Sequence, residues 1–170
     1  MSEVPAWIGD VPTWITTAAI GIAALQYRSE RSRRSSEEDR ESKAQAAKLC
    51  AWVAYDKEAG GKYGKRGVVI ANSSGSTFHD VTVEVQIHKN KPPTVLHLVV
   101  LPPGHYYAEH QGETGDFPWA FPEPIDKATT RLRPYMKSAD YVVKHIEFSD
   151  SLGQAWRADE RLVLSLKSTA

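Results

Sequence analysis

An apolar stretch near the start of the chain is followed by a charged stretch, and then by a region in which apolar and polar residues alternate. Residues 15–25 carry no charge, Tyr27 closes this run, and residues 28–34 contain four arginines and one acid. The apolar run at 11–27 covers about 17 residues, or about 25 Å of helix, close to the minimum that can cross a bilayer. This pattern predicts a membrane-anchor helix within residues 1–27.

The charges around the run predict its orientation. No basic residue precedes it, which excludes a cleavable signal peptide, because such a peptide begins with a basic region. Positive charge after the run predicts a single-pass protein of the cell membrane, with the N-terminus outside and the C-terminal domain in the cytoplasm. The predicted anchor residues are Trp14, Ile15, Ile20, Ile22, Leu25 and Tyr27, and the arginines predicted to attract lipid headgroups are Arg28, Arg31, Arg33 and Arg34.

A soluble helix is the alternative interpretation of the same segment. Thr13, Thr16 and Gly21 dilute the apolar run, and its heptad spacing does not continue past Leu25. In this alternative the protein is cytoplasmic, and its N-terminal helices pack together in a homo-oligomer.

Residues 28–50 are almost wholly polar and contain neither Gly nor Pro. Glu30 and Arg34 have the spacing of a favourable pair on one helix face. We therefore expect a charged helical connector, which continues the anchor as one long N-terminal helix. Its charges read either as a solvated face or as a lipid-attracting segment.

From residue 51 onward, apolar residues recur at every second position. Val81, Val83 and Val85 share one face of a strand, and the polar residues between them lie on the other face. The continuous apolar run at 68–70 predicts a central strand. The predicted strands cover 51–57, 68–70, 78–89, 94–101, 105–109, 141–149 and 154–159, and Leu162, Leu164 and Leu166 close the domain.

Turn residues separate these strands. Pro103 and Gly104 suit a type II turn, after which 105–109 is expected to return antiparallel to the preceding strand. Asp150 begins a second turn, in which Gly153 supplies a positive φ. Seven or eight short strands without βαβ alternation predict a mainly β fold, an immunoglobulin-like antiparallel β-sandwich at 51–170, and argue against a nucleotide-binding Rossmann fold.

Several motifs resemble those of a group of bacterial single-pass membrane proteins with a short N-terminal helix, a charged connector and an immunoglobulin-like or fibronectin-like β-sandwich. The resemblance implies this architecture and membrane attachment, and it carries over no catalytic residue. The motifs are Asp10-Val11-Pro12-Thr13-Trp14, Ala51-Trp52, Ile70-Ala71-Asn72-Ser73-Ser74 leading to Asp80-Val81, Leu101-Pro102-Pro103-Gly104, and Glu147-Phe148-Ser149-Asp150 through Gly153 to Trp156-Arg157.

Composition limits the chemistry further. The 21 basic and 21 acidic residues balance, so no overall field attracts nucleic acid. The single cysteine, Cys50, excludes an internal disulfide and a cysteine-rich zinc site. The six histidines lack the paired spacing of a zinc site, so no metal is predicted.

Catalytic and cofactor motifs are missing from the sequence, which has no G-x-S-x-G, P-loop or G-x-G-x-x-G pattern. Glu147 and Asp150 are a formal candidate for an acid/base pair. A solvent-facing strand surface explains Glu147 better, and the first position of a turn explains Asp150 better. Lys62, Lys65 and Arg66 lie in a lysine-rich hairpin loop, where phosphate binding is a minor alternative to a solvated loop. We predict no cofactor.

The connection at 111–140 is too long for an ordinary loop. Within it, Phe117, Trp119 and Phe121 alternate with prolines, which hold the chain extended. These three aromatics are a candidate partner surface. In the structural alternative they fold back over an edge of the sandwich, beside a short strand at 129–133.

These observations predict a non-enzymatic, membrane-tethered interaction module whose cytoplasmic β-sandwich binds a protein or peptide, through an exposed sheet edge or through the aromatic loop. The first alternative is the soluble structural protein with self-associating helices. A sandwich-fold hydrolase or sugar-binding domain is a third alternative, because fold alone assigns no function.

Overall fold

The computed structural model describes residues 11–59, 65–112, 117–126 and 131–167, except for the side chains of 11–25 and of residues 32, 35 and 36. The chain divides into two compact units, Met1–Glu41 and Ser42–Ala170. The sequence interpretation placed the start of the β domain at residue 51. The second unit begins earlier because Ser42 and Ala46 are buried and Leu49 opens the first strand.

Helix α1 covers Val11–Ala46. Pro12 lies in its first turn, where the proline nitrogen would have no helical partner. The predicted pair of Glu30 and Arg34 is present at 3.5 Å, and both side chains are exposed, so it adds only a few tenths of a kcal/mol. Within the part of the chain that the structure describes, no helix is both long and apolar enough to cross a membrane. The predicted transmembrane helix is thus not supported.

The β domain consists of two antiparallel five-stranded sheets packed as a sandwich. The strands are β1 Leu49–Asp56, β2 Lys65–Asn72, β3 Phe78–Gln86, β4 Thr94–Leu101, β5 Gly104–Glu109, β6 Glu123–Pro124, β7 Leu132–Pro134, β8 Val142–Ser149, β9 Ala155–Asp159 and β10 Leu164–Leu166. Sheet A has the order β6-β5-β2-β1-β7, and sheet B has the order β10-β9-β8-β3-β4. Strand β10 corresponds to the predicted closing segment, so the short strands β6 and β7 account for the excess over eight.

The main core lies between the two sheets. Val81, Val83 and Val85 are fully buried, as their alternation predicted, and they pack with Ile146 and Trp156 of the same sheet. The facing residues of sheet A are Leu49, Ala51, Val53, Val68, Ile70 and Ala108. Burial of this apolar area is the main stabilising contribution to the domain.

Strand β2 is the middle strand of sheet A and is buried on both faces, which confirms its predicted central position. Its Val69 belongs to a second, smaller core with Tyr107 and Leu132, against which Ile125 packs. Residues from the long connection at 111–140 thereby cover the outer face of sheet A.

The predicted hairpin between β4 and β5 is wrong. Strand β5 pairs with β2 in sheet A, whereas β4 pairs with β3 in sheet B. The turn at Pro102 and Pro103 carries the chain from one sheet to the other, and Gly104, with φ 141°, redirects the backbone there.

The period of two expected from residue 51 onward also fails locally, within β8. Glu84 pairs with His145, but Val85 pairs with Val143, so β8 contains one extra residue at Lys144. Such a bulge changes which parity of residues faces the core. Val143 is consequently buried together with Ile146.

Candidate functional site

Strand β4 forms one end of sheet B, where its backbone has a free edge. Among the described residues it pairs with β3 alone, through seven of its eight residues. The register runs from Phe78 opposite Leu101 to Val85 opposite Thr94. A strand in this position presents a row of backbone N–H and C=O groups that can accept a further strand.

Three valines along this edge, Val95, Val99 and Val100, are exposed. Val99 is 78% exposed and Val100 is 49% exposed, while Leu96 and Leu101 point into the core. Two neighbouring valines are exposed because β3 has a positive φ of 50° at Asp80, opposite this point. At this point the side chains that face the core change from even-numbered to odd-numbered residues. Phe78 is buried and His79 is exposed, whereas Val81 is buried beyond Asp80. The distortion therefore leaves an apolar protrusion on β4.

The other sheet edges are shorter. In sheet A, β6 has two residues and β7 has three, and the two strands end in Pro124 and Pro134. Proline and short length are common protections of sheet edges against unwanted pairing. Strand β10, at the other end of sheet B, has three residues. Strand β4 has no proline and no Lys, Arg, Asp or Glu, so it is the least protected edge among the described strands.

A second candidate is a surface pocket of about 530 Å³ at one end of sheet A. It is lined by Lys65, Arg66, His88, Glu109, His110, Gln111 and Gly112. The guanidinium of Arg66 lies 3.3 Å from Nδ1 of His88 and stacks 5.1 Å above the ring of Tyr141. The rings of His88 and His110 meet edge to face at 5.4 Å. Lys65 pairs with Glu109 at 2.8 Å.

The outer face of sheet B carries a network of ion pairs. Glu147 accepts hydrogen bonds from Lys167 at 2.6 Å and from Arg157 at 2.9 Å, and His145 Nδ1 lies 3.1 Å from Glu84. The hydrogen bond from Lys167 lowers the pKa of Glu147 despite its partial burial. A carboxylate held ionised by two cations is a poor general acid, so this row reads as a stabilised polar surface.

Asp150 is likewise unsuited to proton transfer. It is buried, and its carboxylate accepts hydrogen bonds from Trp156, Ser42 and two backbone amides of its own turn. The pair with Glu147 considered from the sequence is therefore not assembled as an acid/base site. Burial also raises the pKa of the Cys50 thiol, which reduces its nucleophilicity at neutral pH.

The three candidate aromatics of the long connection separate in the structure. Trp119 is 8% exposed and belongs to the main core, and its segment forms a bridge with His110. Phe117 and Phe121 are exposed, at 78% and 90%. Trp119 is therefore a core residue, whereas the two phenylalanines lie on the surface. The short strand expected at 129–133 corresponds to β7, at Leu132–Pro134.

The N-terminal candidates lie on α1. The side chains of Trp14, Ile15, Ile20, Ile22 and Leu25 fall outside the described residues. Tyr27 is exposed, and so are Arg28, Arg31, Arg33 and Arg34.

Sequence reasoning missed the approach of His88 to His110, because the two residues follow strands of different sheets. The lysine-rich hairpin that suggested phosphate was the one available signal, and it supplies Lys65 and Arg66 to the same pocket. Lys62 lies outside the described residues. In the described part of the chain, no group of three or more His, Cys, Asp or Glu has the geometry to hold a metal ion.

No protein-family model, no curated protein and no solved structure matches this chain. The resemblance to single-pass sandwich proteins therefore remains a prediction from the sequence motifs.

Proposed function

We propose that this protein is a non-enzymatic interaction module that binds an extended segment of a partner protein by strand addition at β4. One contrast carries the proposal. Strand β4 has eight residues, a free edge and exposed valines, whereas the other edge strands of the described sandwich have two or three residues. Strand addition uses the backbone hydrogen bonds of such an edge for affinity and alternate side chains for specificity.

The chemistry of the edge defines the partner. The protruding Val99 and Val100, with Val95 on the same strand, require apolar side chains at alternate positions of the incoming segment. Because sheet B is antiparallel throughout, the C-terminal end of the segment would lie beside Thr94.

The test is a selection of peptides from a random library against the full chain, followed by binding measurements on variants. A charge introduced at Val99→Lys should remove binding of the selected peptides, because a lysine on a sheet edge opposes strand pairing. Val163→Lys is the matched control, since Val163 is also an exposed valine but lies outside β4. Peptides that bind Val99→Lys as well as the native chain would contradict the proposal.

A second copy of the chain is the competing occupant of the same edge. Analytical ultracentrifugation of the native chain and of Val99→Lys separates the two. A dimer that Val99→Lys dissociates would assign β4 to self-association and overturn the partner proposal. A native chain with the same mass as the variant supports it.

Attachment to a membrane surface is a separate proposal, supported by the four exposed arginines of α1. It requires no spanning helix. The native chain should sediment with anionic vesicles. A variant with Arg28→Gln, Arg31→Gln, Arg33→Gln and Arg34→Gln should remain in the supernatant. Equal sedimentation of both would contradict it, and would leave the β4 proposal unaffected.

A further inference from the structure

The pocket lined by Lys65, Arg66, His88 and His110 has a shape and charge that the strand-addition proposal does not use. Its volume of about 530 Å³ lies within the range of small-molecule sites. We propose that it binds the phosphate group of a phosphomonoester, whether a soluble small molecule or a lipid headgroup.

Arg66 is the first determinant of the ligand. Among the described residues, its side chain contacts the imidazole of His88 and the ring of Tyr141 rather than a carboxylate. No carboxylate of the described residues therefore neutralises its charge. A guanidinium presents parallel N–H donors that match two oxygens of a phosphate, which makes it the usual partner of this group.

The histidines help to position Arg66. The guanidinium of Arg66 donates to Nδ1 of His88, so this ring nitrogen is the acceptor of the pair. The ring of His110 contacts that of His88 edge to face at 5.4 Å, and the His110 backbone N–H donates to the Arg66 carbonyl at 2.8 Å. These contacts fix both rings relative to Arg66, so the site needs little rearrangement to accept a ligand.

Glu109 does not oppose an anion, because it is engaged by Lys65 at 2.8 Å. The two charges cancel, and the positive charge of Arg66 remains. Incoming phosphate oxygens could also accept from Lys65, whose ammonium has three donors and whose side chain is largely exposed. A phosphomonoester offers three terminal oxygens to the guanidinium of Arg66 and the ammonium of Lys65, whereas a carboxylate has only two oxygens. The remaining volume accommodates the organic part of a phosphomonoester.

The experiment titrates the full chain with inorganic phosphate and with glycerol 3-phosphate, and follows the amide signals of Arg66 and His110 by NMR. We expect saturable shifts in the native chain. Arg66→Gln should weaken binding about tenfold or more, because a hydrogen bond to a charged group is lost. Arg133→Gln is the matched control, since Arg133 is an exposed arginine on β7 that does not line the pocket, and this variant should bind as the native chain does.

Thermal unfolding shows whether Arg66→Gln folds. Because Arg66 also stacks on Tyr141, Lys65→Gln provides a second variant at a more exposed position, with an expected loss of a few-fold. Two results would overturn the proposal. One is ligand binding that neither Arg66→Gln nor Lys65→Gln weakens, and the other is the absence of saturable amide shifts in the native chain.

Vesicles containing phosphatidic acid, compared with vesicles of phosphatidylcholine alone, distinguish the two sources of the phosphate. Vesicle binding that Arg66→Gln weakens assigns the site to a lipid headgroup. Binding of glycerol 3-phosphate that Arg66→Gln weakens, without an effect of this variant on vesicles, assigns it to a soluble ligand. Val99 lies on β4 and does not line the pocket. The Val99→Lys variant therefore tests strand addition alone, and Arg66→Gln tests phosphate binding alone.

Discussion

The hydroxyl of Ser42 donates a 2.7 Å hydrogen bond to the carboxylate of Asp150, 108 positions away in the chain. Both side chains are 5% exposed. The indole N–H of Trp156 donates to the same carboxylate oxygen at 2.9 Å, and the other oxygen accepts from the backbone amides of Leu152 and Gln154. The last turn of α1 is thereby fixed to the β8–β9 turn.

Replacing this carboxylate should destabilise the domain. Asp150→Asn leaves one carbonyl oxygen in place of two charged acceptors, and we expect a loss of about 2–3 kcal/mol in the free energy of unfolding. Asp159→Asn is the matched control, because Asp159 accepts two turn amides in the same manner, at 2.9 and 2.8 Å, but is exposed. Urea denaturation of the three proteins measures both losses. An equal loss in the two variants would contradict the special role of the buried network.

The same carboxylate makes stability depend on pH. Burial raises the pKa of Asp150, but the hydrogen bonds from Trp156, Ser42 and the turn amides outweigh it and hold the pKa below its ordinary value of 3.8. The stabilisation is complete above pH 3.8 and is lost as the pH falls toward the lower pKa of the folded state. Denaturation from pH 5 to pH 2 should show a shallower decline in Asp150→Asn than in the native chain. Parallel declines would assign the acid sensitivity to other carboxylates.

Truncation of Trp119 should destabilise the domain much more than truncation of Phe121. Trp119→Ala removes a large side chain from the main core, so we expect a loss of about 3–5 kcal/mol and a clear fall in melting temperature. Phe121→Ala should change stability by less than about 0.5 kcal/mol, because that side chain is 90% exposed. Differential scanning fluorimetry distinguishes the two. A native melting temperature for Trp119→Ala would contradict its place in the core.

Gly67 is required by close packing in sheet A. A Cβ at this position would overlap the carbonyl oxygen of Ala108 and approach the Tyr107 ring to 2.6 Å. Because a backbone atom cannot move aside, Gly67→Ala should cost about 3 kcal/mol. In Gly75→Ala, the added Cβ meets nothing within 4 Å, so this control should remain within about 0.5 kcal/mol of the native chain. Chemical denaturation compares the two, and similar costs would contradict the packing of β2 against β5.

The sequence predicted those parts of the fold that depend on local pattern. The alternation at Val81, Val83 and Val85 predicted a strand buried on one face, and the continuous run at 68–70 predicted the central strand of a sheet. The turn beginning at Asp150 was also correct, since Gly153 has φ 78°. These features follow from side-chain burial and backbone sterics within a few residues.

The features that depend on distant contacts were not predictable in this way. No local pattern shows that Pro102 and Pro103 lead from one sheet to the other, or that Lys144 is the extra residue of a bulge. The burial of Trp119 depends on a core built from both sheets, whereas its neighbours Phe117 and Phe121 remain exposed.

The candidate sites show the same limit. Thr94–Leu101 was predicted as a strand, but its position at the end of sheet B follows only from the topology. The proximity of His88 and His110 depends likewise on how β3 and β5 lie in the two sheets.

Hydrogen exchange of the β4 amides, measured on the full chain with and without a selected peptide, tests the central proposal most directly. If a peptide adds to β4, alternate amides of this strand, those on its free edge, exchange rapidly in the unbound chain and become protected when the peptide binds. Protection confined to the region of Phe117 and Phe121, with the β4 amides unchanged, would contradict strand addition and assign recognition to the aromatic loop.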